Sequence, residues 1–153
     1  MTNSIRVMAV ASTGGHWVQL MRLRPAFEGA DVTYISTVAE PNPGVDKYLQ
    51  VSDANMTEKL RLIFMFFQMA KTVFQLRPHV VVTTGAAPGF AAIVLAKMMF
   101  GQRVKTIWID SIANSEELST SGRQAKRWAD IWLTQWPHLT GTEPGLNCWG
   151  AVL

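Results

Sequence analysis

The chain has 153 residues and a formal net charge of +3, from 14 Lys and Arg against 11 Asp and Glu. Hydrophobic residues make up 48% and charged residues 16%, against about 25% charged in an ordinary soluble domain. Disorder, which needs low hydrophobicity and high charge, is excluded, as is a disulfide framework, because Cys148 stands alone.

The length fits one domain, residues 1–153. Sparse charge leaves apolar surface to meet a membrane or a partner. The basic balance favours anionic partners such as phosphates or acidic lipids, and the cysteine usage fits a reducing cytoplasmic compartment. No nucleic-acid partner is expected.

Met1–Ser4 runs straight into a strand-like segment, with no basic region followed by an apolar one, so no signal peptide is expected. Ile5–Ala11 reads as a short buried strand. Ser12-Thr13-Gly14-Gly15-His16 is a turn, and Trp17, Leu20, Met21 and Leu23 follow at helical spacing until Pro25. Asp31–Ser36 is a second strand. Thr37–Asn55, with Pro41, Pro43 and Gly44, is mostly loop. Thr57 is a helix cap, and the helix runs to about Leu76 before Pro78. His79–Thr83 is a third strand. Thr84-Gly85-Ala86-Ala87-Pro88-Gly89 is a second turn, leading into a helix over Phe90–Phe100 that Gly101 ends. Val104–Ile109 is a fourth strand, Asp110–Ser121 a polar loop, Gly122–Ala129 a short helix and Ile131–Thr134 a last strand. Neither Ala86–Gly101, interrupted by Lys97, nor Leu60–Phe74, with Arg61, Gln68, Lys71 and Thr72, supplies the roughly 20 apolar residues of a spanning helix.

Strands alternating with helices predict an α/β domain: a single Rossmann-like domain with a mostly parallel sheet covered on both faces. Ligands of such sheets bind at the carboxyl ends of the strands. Both glycine turns and the Asp110 loop follow strands, so all three gather on one rim.

Several chemistries are excluded. Gly14-Gly15-His16 lacks the G-x-G-x-x-G spacing of dinucleotide-binding turns. There is no Walker sequence and no G-x-S-x-G elbow. His16, His79 and His138 lack metal-ligand spacing, there is no Asp-x-Asp pair, and neither a metal nor a cofactor is expected. What remains is strand–glycine turn–helix, twice. Glycine lets the backbone approach a ligand, and the free N–H groups at a helix start favour phosphate. Two such turns on one rim suit a diphosphate; the plainer reading is two tight βα turns.

His16, at a helix start, serves either as a neutral base or as a turn-capping residue. His79 reads as structural. Asp110, at the end of an apolar strand, either orients or deprotonates a hydroxyl, or braces the loop. Glu116 and Glu117 read as a solvated loop. The six-residue apolar run Leu62-Ile63-Phe64-Met65-Phe66-Phe67 is more than a one-sided helix needs. Part of that helix either faces an anionic membrane surface, with Lys59, Arg61, Lys71 and Arg77 beside it, or is buried on two sides.

Five segments occur in order: Ala11-Ser12-Thr13-Gly14-Gly15-His16, Thr83-Thr84-Gly85-Ala86-Ala87-Pro88-Gly89, Asp110-Ser111-Ile112-Ala113, Leu118-Ser119-Thr120-Ser121-Gly122-Arg123 and Thr134-Gln135-Trp136-Pro137. Together they resemble bacterial PssD-type proteins, which are similar to the membrane-recruiting subunit of the two-part UDP-N-acetylglucosamine transferase of the dolichol pathway. The likeness covers Ile5 to Leu153. It implies the N-terminal, acceptor-side half of a GT-B glycosyltransferase split into two polypeptides. The donor-binding half would be a separate PssE-like protein.

The glycine turns are also similar to the acceptor-side turns of MurG. By that resemblance Thr13, Gly14, Gly15 and His16, with Gly85, Ala86 and Gly89, cradle the diphosphate of a polyprenyl-linked sugar. Ser119 and Arg123 of the fourth segment join this acceptor set, and His16 and Asp110 are the catalytic candidates. The eukaryotic relatives carry an N-terminal membrane helix that this chain lacks. Membrane contact is then expected from Leu62, Ile63, Phe64, Phe66 and Phe67, at the cytoplasmic face of the plasma membrane. The resemblance implies transfer of a sugar, first of all glucuronic acid in a β-1,4 linkage, from a UDP-sugar to a lipid-linked oligosaccharide of exopolysaccharide or capsule synthesis. Two rival readings are a non-catalytic membrane anchor that activates a partner, and a stand-alone nucleotide-binding domain. Partner contact is expected from the apolar rim and from Gly145–Leu153, with Trp149, Val152 and Leu153.

Overall fold

Short apolar runs punctuated by glycine and proline become six strands among the described residues of a computed structural model, which are 4–54 and 57–152. Leu153 lies outside them. The strands are β1 (Arg6–Ala11), β2 (Asp31–Ser36), β3 (Tyr48–Gln50), β4 (Val80–Thr83), β5 (Lys105–Ile109) and β6 (Ile131–Leu133). The helices are α1 (Gly15–Arg22), α2 (Lys59–Leu76), α3 (Ala86–Phe100) and α4 (Thr120–Ala125). The strands form one sheet in the order β3-β2-β1-β4-β5-β6, and every pair is parallel. The chain starts in the middle, winds out to β3, then returns to lay β4 against the other side of β1. The direction of winding therefore switches between β1 and β4, the position at which open parallel sheets bind ligands.

Burial on both faces follows from the alternation of side chains along each strand. Met8 and Val10 of β1 join Ile35, Val81, Trp108 and Trp132 in the larger core cluster, which includes Met65, Met69 and Val73 of α2 and most of α3. Ala9 and Ala11 point the other way, to Trp17 and Leu20 of α1 and to Tyr34. Val7, Val82, Ile109 and Leu133 pack with Leu23 and Phe27. Each large side chain so buried contributes about 1.5–3 kcal/mol.

α3 buries six consecutive residues, Ala91–Ala96, as expected of a helix held between the sheet and its neighbours. Lys97 ends that run without breaking it. Its ammonium lies 2.7 Å from Asp130 and donates to the Val104 carbonyl at 3.0 Å. Burial pushes the Asp130 carboxyl up. Hydrogen bonds from Lys97 and the Thr106 amide, with the Lys97 charge, outweigh it and hold the group below its ordinary value.

The element bounds differ from the sequence reading in a few places. Tyr48–Gln50, inside the expected 37–55 loop, is a strand that pairs at the sheet edge with Tyr34–Ser36. α2 begins at Lys59 with Glu58, not Thr57, at its N-cap. α3 begins at Ala86, four residues before Phe90. Pro88 fits there, because the first-turn N–H groups have no helical partner to lose. α4 begins at Thr120, because the Ser119 hydroxyl accepts the Gly122 N–H at 2.8 Å and caps it there. Lys126–Trp128 then continue as turn rather than helix, and Ala129 belongs to no regular element.

Candidate functional site at the β1–β4 switch point

The turns after β1 and β4 lie side by side, and two hydrogen bonds lock them together. The His16 Nδ1–H donates to the Thr84 carbonyl at 2.7 Å, and the Thr84 hydroxyl donates to the His16 carbonyl at 2.7 Å. A carbonyl only accepts, so Nδ1 carries the proton, and the neutral ring keeps its lone pair on Nε2. Among the described residues no hydrogen bond occupies Nε2. His16 is half-buried, beside exposed Thr13, Gly14 and Gly15.

Two backbone positions make this contact feasible. Gly85 has φ +120°, and a Cβ there would sit 2.9 Å from the His16 ring. Ala86 follows with φ +66°, a left-handed conformation that costs an alanine roughly 1–2 kcal/mol. Gly14, at the N-cap of α1, has φ +69° and open space where a side chain would be. The first-turn N–H groups of α1 and α3 therefore face the rim without side-chain caps. Helix N-termini without side-chain caps attract anions in general.

The second half of the site is a scaffold. Asp110 is 1% exposed. Its carboxylate accepts from Trp108 Nε1 (3.1 Å), Asn114 Nδ2 (3.0 Å), the Ser119 amide (3.0 Å) and the Ser119 hydroxyl (2.6 Å). A Cβ on Gly122 would fall 2.3 Å from the carboxylate, so glycine at the first turn of α4 allows this approach. Asp110 thus braces the 111–119 loop, and a substrate hydroxyl could reach it only by displacing one of four donors. Of the two expected roles of Asp110, this geometry is that of the loop brace.

Other expected site residues are engaged within the fold. A Cβ on Gly89 would lie 1.9 Å from Thr83 Oγ1, so this glycine lets α3 sit on β4. The Ser119 hydroxyl is spent on Asp110 and on the α4 cap. Arg123 pairs with exposed Glu117 at 3.0 Å and lines a groove with Phe90, Lys126, Arg127 and Trp128; among the described residues no hydrogen bond joins it to either turn. On α2, Leu62 and Phe66 lean into the core. The outward apolar stripe is Leu60, Ile63, Phe64, Phe67 and Phe74, from 53% to 84% exposed. No helix of the described residues is long and apolar enough to cross a membrane.

Sequence reasoning missed one component. Gln19 on α1 and Gln135 after β6 are both buried. Gln19 Nε2 donates to the Gly15 carbonyl (3.0 Å) and to Ser111 Oγ (3.2 Å), and Oε1 accepts from the Ile112 amide (3.1 Å) and Gln135 Nε2 (2.5 Å). Gln135 also donates to the Asp110 carbonyl (3.0 Å) and accepts from the Val152 amide (2.8 Å). The available signal was a glutamine beside Trp17 and Leu20 on the apolar side of α1. His79 and His138 are structural: His79 Nδ1 accepts the Arg6 amide (3.1 Å), and His138 Nε2 donates to the Ser115 carbonyl (2.7 Å).

A six-stranded parallel sheet in this strand order is one Rossmann-like half of a GT-B fold. MurG of Acinetobacter baumannii superposes with a TM-score of 0.74 at 14% identity, over 96% of this chain and 45% of that one. UDP-N-acetylglucosamine 2-epimerase from Rickettsia bellii gives 0.69 at 12% identity, over 97% and 45%. Likenesses at such identity concern the fold alone. Residues 43–152 match the family described as oligosaccharide biosynthesis protein Alg14 like, and the chain belongs to that family. The UDP-N-acetylglucosamine transferase subunit ALG14 of Eremothecium gossypii is 27% identical over 148 residues, which are 94% of this chain and 57% of that protein. The chain thus spans little more than half of that relative and less than half of the two structural neighbours.

Proposed function

We propose that this chain is the acceptor-binding, membrane-recruiting subunit of a two-component glycosyltransferase of bacterial PssD type, acting with a PssE-like donor-binding subunit at the cytoplasmic face of the plasma membrane. The observation that carries this reading is the reciprocal His16–Thr84 pair, which sets two uncapped helix N-termini side by side. The diphosphate of a polyprenyl-linked glycan lies against Thr13, Gly14, Gly15, Gly85 and Ala86. The acceptor hydroxyl oxygen bonds to the anomeric carbon, the bond from that carbon to the nucleoside diphosphate breaks, and the hydroxyl proton passes to His16 Nε2. The partner half holds the departing diphosphate. The donor proposed first is UDP-glucuronic acid, forming a β-1,4 linkage in an exopolysaccharide or capsule precursor. A second reading, in which this chain holds the acceptor and leaves all chemistry to the partner, draws support from Asp110, whose carboxylate is occupied in bracing.

The test is a pull-down from detergent-solubilised membranes of the native host. A second small protein of glycosyltransferase type should co-purify, and the pair should transfer sugar to a lipid-linked acceptor that neither protein modifies alone. An intact tagged chain that brings down no such protein, or that transfers sugar unaided, overturns the split-enzyme reading.

Membrane contact through the outward stripe of α2 has a separate check. Phe64→Glu with Phe67→Glu changes two exposed side chains and leaves the core-facing Met65, Met69 and Val73 intact. Each phenylalanine withdrawn from lipid forfeits up to about 1.5–3 kcal/mol. Binding to vesicles containing acidic phospholipid should therefore fall about 100-fold or more. Co-sedimentation equal to the parent protein would show that this face meets something other than lipid.

A further inference from the structure

α2 and α3 leave a groove of about 390 Å³ between them, lined by Leu62, Ile63, Phe66, Phe67, Ala70 and Leu95. That volume is within the range of about 300–1,000 Å³ typical of small-ligand pockets. Its lining is entirely apolar. Parallel strand order sends both helices away from the rim that carries the glycine turns, so the groove runs down the helical layer from the rim end of α2. From Leu62 to Ala70 it follows eight residues of α2, about 12 Å at 1.5 Å per residue. Leu95 is nine residues along α3 from Ala86, about 14 Å from the turn. Ile63 and Phe67 belong both to its wall and to the exposed stripe with Leu60 and Phe64, so it opens sideways onto the surface proposed to meet lipid. Lys59 and Arg61 stand exposed at the rim end of α2, with Arg61 paired to Glu58 at 3.2 Å.

An apolar channel that runs down from the rim end of α2 and opens onto an apolar surface matches a lipid with a phosphorylated end. We infer that the α2–α3 groove holds the first isoprene units of the acceptor's polyprenyl chain while the glycine turns hold its diphosphate. This rests on the diphosphate reading of those turns. It makes tail recognition a property of the protein and not only of the bilayer. The groove then acts as a measure of the lipid: a chain seated in it fixes the distance from membrane to His16.

The experiment compares isopentenyl diphosphate and farnesyl diphosphate, which share a head and differ in chain length, by calorimetry on the full chain below the micellar concentration. Farnesyl diphosphate should bind at least 10-fold more tightly. Ala70→Met, which fills the groove, should erase that ratio and leave isopentenyl diphosphate affinity unchanged. Phe67→Ala removes an exposed wall without touching the core and should reduce the ratio at least several-fold, which guards against misfolding of the first variant. Equal affinity of the two probes, or a ratio that survives both substitutions, overturns the groove assignment while the diphosphate site stands. Displacement of farnesyl diphosphate by dodecylphosphocholine at equal affinity makes the groove a general lipid pocket and also overturns it. Binding of neither probe sinks the diphosphate reading itself, and the groove assignment with it.

Discussion

Replacing His16 with asparagine is expected to slow sugar transfer by the assembled pair by about 10²–10⁴-fold, the usual contribution of a positioned general base. Asparagine is the informative choice. Its amide N–H₂ can still donate to the Thr84 carbonyl, as the imidazole Nδ1–H does at 2.7 Å, so the two turns remain tied. What is lost is the lone pair on Nε2. Acceptor affinity should therefore change little, and the defect should fall on kcat. His16→Ala also removes the side-chain half of the tie, leaving only the Thr84 hydroxyl on the residue-16 carbonyl, and should weaken acceptor binding in addition. If His16→Asn leaves kcat at the parent level in a correctly assembled pair, this chain supplies no base and the partner performs the proton transfer.

Replacing Asp110 with asparagine is expected to act through stability. Four donors converge on the carboxylate, and an amide can accept at only one of its two terminal atoms. The other turns N–H toward N–H, at the Ser119 amide and Asn114 or at Trp108 and the Ser119 hydroxyl. Hydrogen bonds to a charged acceptor are worth about 1.5–3 kcal/mol each, and a buried donor left unpaired carries its own penalty. The loss should be about 3 kcal/mol, read as a fall in Tm of roughly 6–12 °C for a domain of this size. Below the new midpoint the pair should keep most of its kcat. An unchanged Tm with a 100-fold fall in kcat would return Asp110 to the chemistry.

The two outcomes separate what a sequence can say from what packing decides. The strands were legible because their apolar runs end at glycine, proline or polar turns. β3 was not, because three residues in a polar segment carry no periodicity and pair only at an edge. The start of α3 was hidden by Pro88, which reads as a turn residue and is equally at home in a first helical turn. The six-residue apolar run on α2 announced a helix with two apolar sides. Its phase was not legible, because it depends on Met65, Met69 and Val73 being the residues that meet the core. That phase turns Leu62 and Phe66 inward and brings Leu60 and Phe74 out. The glycine turns were readable as two βα turns on one rim, yet Gly89 and Gly85 looked alike. Only the neighbours, Thr83 for one and the His16 ring for the other, distinguish a packing glycine from one that shapes the site. The Gln19–Gln135 pair joins positions 116 apart, beyond the reach of any local pattern.

The pair that closes the site joins residues 68 apart, with β2, β3 and α2 in between. It exists only once β4 has come back to lie along β1, a long-range closure of the kind that slows folding. At synthesis rates of about 5–20 residues per second, the first turn must wait several seconds for its partner to emerge from the ribosome. During that interval the first turn has no Thr84 to bond with, and the outer edge of β1 awaits its second neighbour. Pairing of the two turns is therefore the mark of a finished fold: an early fragment carrying Thr13–His16 has one turn without its partner and nothing to set the tautomer of its histidine.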